Sequence, residues 1–94
     1  MSMKGTYALA PDWTARRLLY GGMEGKISFF DLETSGHGTL VAIPGRPQIM
    51  DLGLSENRRN LLCLCRHDPL SRKMRKPLAL QIWDYRALWE VTAR

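Results

Sequence analysis

A chain of 94 residues with 45% hydrophobic and 24% charged side chains has the composition of one globular domain, which excludes a disordered tail and a collagen-like rod. No apolar run approaches the ~20 residues of a membrane-spanning helix. Met1-Ser2-Met3-Lys4-Gly5 also lacks the apolar segment and cleavage site of a secretory leader, so an intracellular location, cytoplasmic or nuclear, is expected.

Short apolar runs bounded by Gly, Pro, Asn and Asp clusters predict β-structure throughout. Strands are expected over 7–10, 17–21, 26–31 and 39–43, and again over 49–54, 60–66, 78–84 and 88–92. Met23-Glu24-Gly25 reads as a tight hairpin turn, while Pro11-Asp12-Trp13-Thr14 and Ser55-Glu56-Asn57 read as matched turns. Pro44-Gly45-Arg46-Pro47 punctuates the two halves, giving a first unit over 1–45 and a second over 46–94.

The halves repeat one another. Leu18-Leu19-Tyr20 and Gly25-Lys26-Ile27-Ser28-Phe29-Phe30-Asp31 return as Leu61-Leu62-Cys63 and Ala79-Leu80-Gln81-Ile82-Trp83-Asp84. The step is 43 residues from Leu18 to Leu61 and 53 from Phe30 to Trp83, so the second half carries a hairpin insertion, placed at 66–77. A period of ~40–45 residues with four strands per unit is the size of a propeller blade.

On these residues the chain resembles two consecutive repeats of the WD-repeat β-propeller family. The matching marks are Ala8-Leu9-Ala10-Pro11-Asp12 and Leu52-Gly53-Leu54-Ser55-Glu56-Asn57, the hairpin Glu24-Gly25-Lys26-Ile27, and the dipeptides Phe30-Asp31 and Trp83-Asp84. The resemblance implies an all-β fold of two four-stranded antiparallel blades, a partial propeller acting as a protein-interaction scaffold. It also implies that Asp31 and Asp84 cap turns. The buried His-Ser/Thr-Asp-Trp network of the family cannot form here. Gly36-His37 lies too early, and Pro44-Gly45 occupies the expected place. Packing alone is therefore expected to hold the units.

Two blades stacked on each other cover one face each and leave two apolar faces open, more than a free monomer usually shows. The expected partner is a protein, or the remainder of a propeller, or further copies of the chain in a ring of three or four.

The segment Arg66 to Lys76 holds five basic residues against Asp68, nearly the whole net charge of +5. Arg46, Arg66, Arg72, Lys73, Arg75 and Lys76 are thus candidates for contact with an acidic protein surface, or alternatively nucleic acid. Trp13, in a turn, is the candidate aromatic contact. Trp83 is expected in the core and Trp89 in the last strand. The competing reading of the basic segment is a solvated loop.

No catalytic, metal or cofactor site is expected. Cys63 and Cys65 lie two apart in an apolar run and read as buried thiols on one strand face, fitting a reducing compartment. His67 and Asp68 do not complete a metal site or a catalytic set with them.

Overall fold

The computed structural model describes residues 6–66 and 78–92. Seven strands and one helix follow in order: β1 Thr6–Asp12, β2 Arg17–Gly22, β3 Lys26–Asp31, β4 His37–Ala42, β5 Gln48–Leu54, β6 Asn60–Arg66, β7 Leu78–Asp84 and α1 Tyr85–Thr92. They form two antiparallel meanders, a four-stranded sheet in the order β1-β2-β3-β4 and a three-stranded sheet in the order β5-β6-β7. The fold is all-β apart from the one short helix.

That helix replaces the eighth strand expected over 88–92. Asp84 accepts a hydrogen bond from the Ala87 N–H at 3.1 Å, the geometry of an N-cap. Tyr85, Leu88 and Trp89 then share one helical face and pack on the core, a spacing of three and four residues that a strand would split between two faces. Local capping and the 3.6-residue period outweigh the β-preference of Val91 and Thr92. The second sheet consequently has three strands, not four.

The two sheets pack face to face. From the first come Ala8, Ala10, Leu19, Ile27 and Leu40; from the second come Ile49, Leu52, Leu61, Cys63 and Cys65, all buried. Leu19, Ile27, Ile49 and Leu61 have no exposed surface, and each such burial contributes about 1.5–3 kcal/mol. Small residues set the closest approach. A Cβ on Gly21 would lie 2.8 Å from Cγ2 of Ile49, so only glycine lets β2 meet β5 there. Pro11 lacks an N–H and is accommodated because β1 is an edge strand.

The register repeats as the sequence does. Leu9 pairs with Tyr20 as Leu52 pairs with Cys63, and the irregularity between Thr6 and Ala8 recurs between Ile49 and Asp51. All β2–β3 pairs, from Arg17–Asp31 to Gly21–Ile27, return in β6–β7 from Asn60–Asp84 to Leu64–Leu80. Directly paired residues share a sheet face, so the face of every repeat-related position can be followed through both sheets. Leu18 and Phe30 face away from the second sheet, whereas Leu61 and Trp83 face toward the first. Repeat-related side chains therefore point the same way along the stack. The sheets are related by translation through it, not by mirroring across their interface.

Candidate functional site: open apolar faces and an arginine-lined end

Each sheet buries one face against the other and leaves a second face that is mostly apolar, with Ser28 on the first sheet and Gln48, Asp51 and Arg66 on the second as its polar members. On the first sheet that face carries Leu9, Leu18, Tyr20 and Phe30; on the second it carries Leu62, Leu64, Leu78, Leu80 and Ile82. Leu9 is 51% exposed and Leu80 61%. A shallow hollow of ≈ 250 Å³ lies between Leu62, Leu64 and Leu80, with Asp51 on its wall, above Gly53, which has no side chain to fill it. Contiguous apolar surface of this kind marks interaction sites.

The strand ends around the β1–β2 turn differ in character. Asp12, 1% exposed, closes β1 and reaches into the second sheet. Arg58 grips its carboxylate with two bonds, Nε to Oδ1 and Nη2 to Oδ2, both 2.8 Å. The Tyr85 hydroxyl donates to Oδ2 at 2.9 Å, and the Ala15 N–H donates to Oδ1 at 3.3 Å. Burial alone would raise the Asp12 carboxyl, but these bonds outweigh it and hold the group below the usual carboxylate range. Burial, reinforced by the hydrogen bond to Asp12, pushes the Tyr85 phenol up to about 12. Arg58 has a left-handed backbone, φ 59°, a conformation that costs a non-glycine residue about 1–3 kcal/mol and that the two-bond pair offsets. This cluster corrects the expectation that packing alone joins the halves.

Beside it lies a recess of ≈ 730 Å³ lined by Arg17, Arg58, Arg59, Arg86, Tyr85 and Trp89, with Asp84 as its one acid. Trp89 sits edge-on to Phe29 at 4.8 Å and to Tyr85 at 6.1 Å, and the Arg17 guanidinium stacks over its ring at 4.0 Å. With Arg58 neutralised by Asp12 and Arg86 paired with Glu90 at 3.7 Å, Arg17 and Arg59 against Asp84 leave the recess net positive. Guanidinium groups of this kind suit carboxylates or phosphates. The lining is completed by the side-chain amides of Asn57 and Asn60.

Trp13 stands at this same end, 73% exposed. Arg46 and Arg66 stand at the opposite end. Arg46 is exposed with φ 51°, packed by its backbone on the β2–β3 turn, and Arg66 ends β6 paired with Gln48. Arg66 Nε is buried with no hydrogen-bond partner among the described residues. Arg72, Lys73, Arg75 and Lys76 lie outside the described residues. The structure thus separates Trp13 from Arg46 and Arg66. The arginines of the recess were missed because Arg17, Arg58, Arg59 and Arg86 are scattered in sequence, with the repeated turns the one signal that could join them.

Asp31 accepts the Glu33 and Thr34 N–H groups at 2.9 and 3.1 Å, capping its turn as Asp84 caps α1. Cys63 and Cys65 are free, buried, and 3.3 Å apart at sulfur. Burial drives the Cys63 thiol well above its ordinary range. Among the described residues no helix is long and apolar enough to cross a membrane. No protein-family model matches the chain, and no curated protein is significantly similar to it.

Proposed function

We propose that the chain is a non-catalytic protein-interaction module, a two-blade section of a WD-type propeller stack that docks further antiparallel sheets on its outer faces. One observation carries the reading: repeat-related side chains point the same way along the stack, so each outer face is the register counterpart of a face already buried inside. Leu9 is 51% exposed while its repeat counterpart Leu52 is 7% exposed, although both lie in the first strand of a sheet. The difference is what a neighbouring sheet removes. The buried free thiols fit an intracellular setting.

Variants Leu9→Glu and Leu80→Glu, each closing one face, should both keep a β-rich circular dichroism spectrum and both bind an apolar fluorescent dye through the remaining face. The double variant should stay folded and lose the dye signal. A double variant that unfolds, or single variants that bind no dye, would remove the outer faces from the docking role.

A second reading concerns acidic protein surfaces, with nucleic acid as the competing partner and the basic segment Arg66 to Lys76 as the other contact. It is favoured by the convergence of Arg17, Arg59 and Arg86 on the recess, of which Arg17 stacks on Trp89 and Arg86 pairs with Glu90 at 3.7 Å. Its signature is steep loss of binding to a polyanion with salt, weakened by Arg59→Ala with Arg86→Ala.

A further inference from the structure

Resting on the docking reading above, we infer that the sheet covering each outer face is supplied by a second copy of this chain, stacked head to tail. The outer face of the second sheet is the repeat counterpart of the face that the first sheet buries. Leu62, Leu80 and Ile82 stand in the register positions of Leu19, Ile27 and Phe29. The outer face of the first sheet is in turn the counterpart of the face that the second sheet buries, with Leu9, Leu18 and Phe30 standing for Leu52, Leu61 and Trp83.

One chain therefore carries register counterparts of both halves of its internal interface, with Leu64 at the position of Gly21 and Asp51 at that of Ala8. The register matches the two unlike outer faces to each other, head to tail. Ile27 has no exposed surface, while its counterpart Leu80 is 61% exposed. Part of that difference comes from β7 having no strand on its far side among the described residues. The rest is the missing neighbouring sheet. A head-to-tail contact of this kind forms a ring if it carries a rotation that closes, and a ring of two-sheet chains holds an even number of sheets.

Mixing the two single-face variants tests this, with sedimentation velocity as the readout. The unmodified chain should sediment as an assembly of several times 10.8 kDa. Leu9→Glu alone and Leu80→Glu alone should each fall to the mass of one chain. Their equimolar mixture should give a species of two chains, because each supplies the face that the other lacks. Leu9→Lys and Ile82→Lys replace them if either glutamate variant loses its β-spectrum.

Three results would overturn the inference: an unmodified chain at the mass of one chain, a single-face variant that still dimerises by itself, or a mixture that stays at the mass of one chain. In the first case dye binding by the single variants would leave the docking reading intact and assign the covering sheet to another protein.

Discussion

The Tyr85 hydroxyl donates to the Asp12 carboxylate at 2.9 Å across 73 residues of sequence, fastening the last strand–helix junction to the end of the first strand. Arg58 completes the fastening from the β5–β6 turn. Three elements distant in the chain thus meet on one buried charge. Its removal or exposure has measurable consequences.

Replacing Arg58 by alanine leaves the Asp12 charge buried with one neutral donor side chain. Breaking a buried pair in this way costs about 3–5 kcal/mol, and the solvent contact of Arg58 reduces the expectation to about 2–3 kcal/mol. Arg59→Ala, beside it and exposed, should change stability by less than about 0.5 kcal/mol. Urea unfolding of the two variants side by side checks the contrast.

The same cluster sets limits at both ends of the pH scale. Asp12 is held below its unfolded value, so its contribution is present above about pH 4 and disappears as the folded carboxyl protonates. Tyr85 is raised to about 12 in the folded chain, so its contribution is complete below pH 10 and declines as pH rises from 10 through 12. Thermal midpoints should fall below about pH 4 and also from about pH 9 upward, where the raised Cys63 thiol adds to Tyr85. Tyr85→Phe should lower the plateau and flatten the alkaline decline while leaving an acid one.

Gly25 is expected to tolerate no side chain. Its φ is 69°, and a Cβ would lie 2.5 Å from the Arg46 Cα, in the backbone that joins the two sheets. Gly25→Ala should cost more than about 2 kcal/mol. Gly45, with φ 85° and nothing within 4 Å, should cost about 1 kcal/mol for the same change. Equal losses in denaturant melts would contradict the close approach.

Helix α1 is held by its inner face. Trp89→Ala removes contacts with Phe29, Tyr85 and Arg17 and should destabilise by about 3 kcal/mol. Asp84→Ala removes only the cap and should cost about 1 kcal/mol. Loss of the near-ultraviolet tryptophan signal in the first variant, and its retention in the second, would separate packing from capping.

Seven strands were legible because their apolar runs have short lengths and glycine or proline borders, and the steps of 43 and 53 read from the sequence carry the Leu18–Phe30 pair onto the Leu61–Trp83 pair in the structure. The last element was misread because Leu88-Trp89-Glu90-Val91-Thr92 is short and rich in strand formers, while the deciding residues, Asp84 and Tyr85, belong to the preceding dipeptide. The Asp12 cluster was illegible for another reason. Its partners lie 46 and 73 positions away, and an aspartate at a turn has a local capping role that hides a tertiary one. Trp13 was placed correctly as a turn residue. Of the basic segment, Arg66 ends β6 and the rest lies outside the described residues, while the arginines that converge in space do so from three separate places, Arg17, Arg58-Arg59 and Arg86.

The repeat places Ser55 where the first half has Asp12. Ser55 turns inward on its own loop, donating to Asn57 Oδ1 at 2.7 Å and accepting the Asn60 N–H at 3.0 Å. The carboxylate rivet is therefore cast once, at the seam inside the chain, and has no counterpart at the outer seam. Any sheet laid on the outer face of β5, β6 and β7 is held there by apolar contact without that charge, and such contact weakens on cooling. If a second copy covers that face as inferred, cooling should part the two chains while Asp12, Arg58 and Tyr85 keep each chain whole.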